Sequence, residues 1–131
     1  MLEGFVVFNF NEGVPYVSIT KNGITFNKGV VLKLGCPQYA RLLINAERKQ
    51  IALQICDERA ENSVQFCSAE KRNSKVLSIR WNGRDLLNTI EGITGWSLSK
   101  ESYKVEGKLL TEERAMLFDL NEAILMGDTI R

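Results

Sequence analysis

The sequence predicts a mostly β, or α+β, fold built from short hairpins with two or three short helices. Three observations lead there. Val17 to Gly35 reads VSITKNGITFNKGVVLKLG, two short β-rich runs around an Asn-Gly turn and then a basic, apolar segment ending in Gly. Ala40–Asn45 and Gln50–Cys56 are apolar runs around the polar stretch Ala46-Glu47-Arg48-Lys49, a second hairpin. Apolar residues at helical spacing occur only in short bursts, at Val30, Val31 and Leu34 and at Leu86, Leu87 and Ile90.

Taken in order, Phe5-Val-Val-Phe-Asn-Phe is rich in β-formers and reads as a strand closed by Asn11-Glu12-Gly13. Tyr16–Thr20 and Ile24–Phe26 are strands joined by Lys21-Asn22-Gly23. Gly29–Leu34 is a short helix, with Gly35 placed to cap it and Pro37 following where a helix has stopped. The second hairpin follows, then a polar loop from Asp57 to Ser63, a strand at Val64–Cys67 and a charged connection from Ala69 to Lys75. Val76–Arg80 alternates as a strand, Asn82-Gly83 reads as another turn, and Arg84–Glu91 as a short helix. Trp96–Leu98, Tyr103–Leu110 and Ala115–Leu120 are further strands, and Asn121–Met126 a short terminal helix with Asn121 near its cap. The total is about eight to ten strands.

Length and composition bound the function. At 131 residues the chain is expected to form one domain of common size, residues 1–131, or two tightly packed subdomains, able to fold without disulfides or a metal. Charge is balanced, with a net charge of +1, and the hydrophobic share is that of a globular chain. No stretch approaches the ~20 apolar residues of a membrane helix, and Met1–Phe10 does not read as a secretory signal. Cys36, Cys56 and Cys67 lack metal-ligand spacing and fit reduced thiols. A cytoplasmic protein with no membrane partner, no cofactor and no metal is expected. The chain contains no His, which removes the His general base and the Ser-His and Cys-His pairs. A non-enzyme is therefore expected, since what remains is carboxylates, Lys, Tyr and Cys.

Val17–Gly35 also has an echo. Laid on Leu77–Gly95 it matches at Ser18/Ser78, Ile19/Ile79, Asn22/Asn82, Gly23/Gly83 and Gly35/Gly95. A second match aligns Leu43–Arg48 with Leu109–Arg114, after an insertion of about six residues near Trp96. Either two diverged units, 14–68 and 74–126, share an ancestry, or β-proteins are reusing hairpins and Asn-Gly turns.

The segment Val17-Ser18-Ile19, Gly23, Ile24-Thr25-Phe26-Asn27-Lys28, Leu34-Gly35 and the hairpin Ala40–Cys56 resembles the swapped-hairpin domains of the AbrB, SpoVT and MraZ type, with Asn27 where Pro is usual. That resemblance implies interleaved hairpins in a homodimer or an internal pseudo-dimer, and a sheet face laid on double-stranded DNA, as in small transcription regulators. It implies contacts from Lys21, Lys28 and Lys33, with Arg80 and Arg84 as their counterparts in the second unit. The charge pattern is compatible: between Ser18 and Lys49 six basic residues face Glu47 alone, and acids gather from Glu101 onward. The same cations could equally be solvated strand edges. The other reading of the whole chain is a non-catalytic ligand- or protein-interaction β-domain. Trp81 is either a stacking platform or a cover for the core edge. Glu112, Glu113, Asp119 and Glu122 are expected to be a solvated face rather than a metal cluster.

Overall fold

The computed structural model describes residues 1–6, 13–68 and 77–126. Nine strands form one curled antiparallel sheet, and two helices are present among the described residues. The strands are β1 (Tyr16–Thr20), β2 (Gly23–Phe26), β3 (Tyr39–Asn45), β4 (Gln50–Ile55), β5 (Val64–Gln65), β6 (Ile79–Trp81), β7 (Tyr103–Leu110), β8 (Ala115–Asp119) and β9 (Ile124–Leu125). Helix α1 spans Lys28–Lys33 and α2 spans Arg84–Thr94. The sheet runs β5-β3-β4-β8-β7-β1-β2-β6, with β9 beside β7. This is the mostly β class that the sequence predicts.

Alternation decides which face is buried. Val17 and Ile19 on β1, Ile24 and Phe26 on β2, Ile51 and Leu53 on β4, and Met116 and Phe118 on β8 all point into one core. The sheet curls until both ends share an aromatic cluster. The Phe26 ring lies 5.6 Å from Phe66, 5.3 Å from Trp81 and 6.1 Å from Phe118, and Phe66 lies 5.8 Å from Trp81. All but the tilted Phe26–Phe118 pair are edge-to-face, an arrangement that adds about 0.5–1.5 kcal/mol per pair beyond burial. Trp81 is thus partly buried and packs over the core edge against Phe26 and Phe66.

Local chemistry fixes α1 at both ends. The Asn27 side-chain oxygen accepts from Val30 N–H at 3.1 Å and from Tyr16 N–H at 3.0 Å, and its amide donates to the Val14 carbonyl at 2.8 Å. Asn27 N–H also donates to the Tyr16 carbonyl at 3.1 Å. A proline, usual at this place in swapped-hairpin domains, would lose all of these. At the other end Gly35 adopts φ 78°, and Gly35 and Cys36 N–H groups close back on Leu32 and Val31 carbonyls. That is a Schellman ending, which needs the left-handed residue that Gly supplies.

The two long hairpins are related by a local two-fold axis. In the first, Asn45 pairs with Gln50, and in the second Leu110 pairs with Ala115, each across a four-residue turn. Both turns end in a left-handed residue, Lys49 at φ 58° and Arg114 at φ 55°. The strands β4 and β8 pair about Ala52 and Leu117, and the flanking bonds repeat: Ile55 N–H to the Arg114 carbonyl and Leu120 N–H to the Lys49 carbonyl, both 2.9 Å. Lys49 thus corresponds to Arg114, one residue away from the sequence match that aligns Arg48 with Arg114.

Several expectations are corrected. Asn22-Gly23 turns β1 into β2, whereas Asn82-Gly83 leads straight from β6 into α2, so the two Asn-Gly pairs do different work. Trp96–Leu98 is not a strand: Trp96 stacks on Tyr103 at 3.8 Å and Leu98 N–H is bound by the Glu91 carboxylate at 2.7 Å. The terminal helix is instead a 3-10 turn, Leu120–Glu122, capped by Asp119 and followed by β9. Pairing of Ile124 with Lys104 and Leu125 with Tyr103 gives that segment an extended partner, which outweighs its weak helical spacing. The expected strand at Phe5–Phe10 and the connection Ala69–Lys75 lie largely or wholly outside the described residues, as does Val76.

Candidate functional site

The β1–β2 turn, the β6–α2 junction and the loop after α2 converge at one end of the sheet. Between them lies an open cleft of about 440 Å³ lined by Lys21, Asn22, Asn82, Gly83, Arg84, Leu87, Asn88, Glu91, Leu98 and Ser99. A neighbouring cleft of about 390 Å³ shares Lys21, Asn22, Leu98 and Ser99 and adds Thr20, Arg80, Lys100, Glu101 and Ser102. Three of the five predicted site residues, Lys21, Arg80 and Arg84, therefore meet here.

Each is placed by strand pairing. Gly23 pairs β1 with β2 so closely against β6 that a Cβ on it would lie 2.6 Å from the Trp81 carbonyl. This close approach brings Lys21 beside the start of α2. Arg80 pairs with Thr25, on the outward face between buried Ile24 and Phe26, and its Nε donates to the Thr25 hydroxyl at 3.2 Å. Arg84 opens α2, whose cap Gly83 has an extended backbone and no side-chain cap. The first-turn N–H groups and the positive end of the helix dipole thus face the cleft. Among the described residues, none of Lys21, Arg80 and Arg84 forms an ion pair.

Lys28 and Lys33 lie elsewhere. They sit on α1, which follows β2 at the end opposite the Lys21-Asn22 turn, and they line neither cleft. Lys100 lines the smaller cleft, and Lys104 lines neither cleft but stands on the adjoining outer face of the sheet. Lys104 pairs with Ser18, so the outer face carries the row Arg80, Thr25, Ser18, Lys104 across four strands. Its ammonium lies 4.2 Å from the centre of the Tyr16 ring. Lys104 is legible as an outward position between Tyr103 and Val105, but its place beside Ser18 depends on the β1–β7 pairing.

The two acids that line the clefts, Glu91 and Glu101, are hydrogen-bonded, and Asp85 stands in the first turn of α2. Glu91 holds the Leu98 N–H, and Glu101 accepts from the Tyr103 hydroxyl at 3.3 Å. Partial removal from water, then the Glu101 carboxylate, hold the Tyr103 phenol above its ordinary range. Tyr39 is shifted the same way by desolvation and Glu58, far from the clefts. No group of three His, Cys, Asp or Glu side chains able to hold a metal occurs among the described residues. Among the same residues no helix is long and apolar enough to cross a membrane. No family model, no curated protein and no solved structure matches the chain.

Proposed function

We propose that the chain is a nucleic-acid-binding protein, a small regulator that lays this cationic end of the sheet on duplex DNA. The observation that supports it is the meeting of Lys21, Arg80 and Arg84 around two adjoining clefts with Lys100 at their rim. The hydroxyls of Ser18 and Thr25 stand between Arg80 and Lys104 on the outer face. Three strand spacings separate those two cations, roughly 14 Å at the backbone, close to the ~12 Å width of a major groove. Phosphates on either side of a groove are within reach of both. In this reading Lys21, Arg80 and Arg84 bind phosphate, and Lys28 and Lys33 contribute little.

Anisotropy with a random-sequence duplex at about 50 and 200 mM salt tests this. Binding should weaken steeply with salt, by close to one power per neutralised phosphate. Replacing Lys21, Arg80 and Arg84 by Gln should flatten that slope by up to about three units, whereas Lys28→Gln with Lys33→Gln should leave it nearly unchanged. Absence of binding at the lower salt rejects the reading.

A second reading, a small-ligand domain, draws on the larger cleft. Its three amides (Asn22, Asn82 and Asn88) and its apolar Leu87 and Leu98 suit a polar ligand with an apolar part. Thermal-shift screening separates the two: stabilisation by small solutes without DNA binding would favour the ligand.

A further inference from the structure

The local two-fold axis allows the outer edges of the two hairpins to be compared position by position. On β7, strand β1 covers Tyr103–Glu106 and the Gly107 N–H donates to the Pro15 carbonyl at 2.9 Å. The next residue on that edge is Lys108. On β3, strand β5 covers Tyr39 and Ala40 only. Among the described residues Arg41–Asn45 has no strand partner on that side, and the position matching Lys108 is Leu43. Leu43 and Ile44 are each 41 % exposed. An open edge is a template for another strand, and Lys is a usual way of blunting it. β7 has that protection and β3 lacks it.

We propose that β3 pairs antiparallel with β3 of a second copy of this chain, centred on Leu43, joining two sheets into one. The occupant follows from the sequence of the edge. Arg41-Leu42-Leu43-Ile44-Asn45 runs polar, apolar, apolar, apolar, polar in both directions. An isologous pairing about Leu43 sets Leu43 on Leu43, Leu42 on Ile44 and Arg41 on Asn45, with no like charges opposed. The ends of the pairing are also compatible: Arg41 of each copy faces Asn45 of the other, and since its Nε already binds the Gln54 side chain at 3.0 Å, the other guanidinium donors are left for the Asn45 side chain. The outward row Leu43, Ala52, Leu117 then continues across the junction instead of ending at water. This pairing does not depend on the nucleic-acid reading.

Sedimentation velocity of the full chain, from low to high micromolar, should show a dimer whose population rises with concentration. Leu43→Lys copies the residue that the other hairpin carries at the matching position, so the fold tolerates it. It should weaken association at least about tenfold with an unchanged circular dichroism spectrum. Residues directly opposite in an antiparallel pair have Cα atoms ~4.5–5.5 Å apart, within disulfide reach. Leu43→Cys should therefore cross-link between copies on mild oxidation under conditions where the wild type does not. A dimer that is insensitive to Leu43→Lys, or that gives no cross-link in Leu43→Cys, overturns the pairing. A chain that stays monomeric across the range also overturns it, and leaves the edge to an extended peptide of another protein.

Discussion

Helices α1 and α2 follow strands of similar placement, but they are held in opposite ways. The shorter, α1, buries Gly29, Val30 and Val31, carries a side-chain cap and ends in a Schellman closure. Helix α2 is eleven residues long, buries only Ile90 and has no side-chain cap. A six-residue helix has almost no stability of its own, so its caps and its tertiary contacts must supply it. α2 gains from length and from its amphipathic stripe, and can remain at the periphery. The candidate site forms beside the loosely anchored helix, while α1 carries structure.

The largest expected effect comes from the cluster beneath α1. Phe26→Ala should destabilise the chain by about 3–5 kcal/mol in urea unfolding, because a fully buried ring at the centre of three aromatic contacts is lost. A cost below about 1 kcal/mol would show that this cluster does not anchor the β2–α1 unit. Next, Asn27→Ala removes the cap and the side-chain ties to Val14 and Tyr16, and should cost about 2 kcal/mol. The contrasting change is Gly83→Ser at the cap of α2. The backbone there is extended, and a Cβ would meet nothing closer than Leu86 at 4.0 Å. A serine cap should therefore stabilise by a few tenths of a kcal/mol, read as a small rise in Tm. If Asn27→Ala and Gly83→Ser changed stability equally little, the contrast between the helices would fail.

The smallest effect is alkaline. Tyr103 stacks on Trp96 just beyond α2, and its phenol is held above the ordinary value by partial burial and by Glu101. The fold favours the neutral phenol, so this contribution is complete below the unfolded pKa of about 10. It is lost as pH rises through the higher folded value. Glu101→Gln should move the Tyr103 titration, followed by ultraviolet absorbance, back toward the ordinary range without reaching it. No movement would mean that burial alone sets the shift.

Local chemistry was readable where a residue pattern admits one geometry. Asn22-Gly23 between β-rich runs, the Gly35 ending of α1 and the two polar hairpin turns all appear where the sequence places them. Errors arose where the deciding partner is distant. Asn82-Gly83 resembles a hairpin turn, but β6 already has β2 as its neighbour and the next residues satisfy a helix. Ile124-Leu125 is apolar at both positions and becomes a strand only because β7 lies alongside. The site behaved likewise. Lys21 is far in sequence from Arg80 and Arg84 and meets them through the β2–β6 pairing, which no local signal encodes. Lys28 and Lys33 share a basic stretch with Lys21 but are carried to the other end of β2.

The pairing of β1 with β7 and of β2 with β6 also sets a timetable for synthesis. The β1–β2 hairpin leaves the ribosome with Val17, Ile19, Ile24 and Phe26 on one face and nothing yet made to cover it. Its neighbours are complete only when translation has passed Glu106, an interval of roughly 4–16 s at about 5–20 residues per second. Throughout that wait the first hairpin is sticky, and the apolar β3 edge is made in the same period. Slower decoding across residues 57–78 should lengthen the exposure and raise the aggregated fraction, an effect that a ribosome-bound chaperone would relieve.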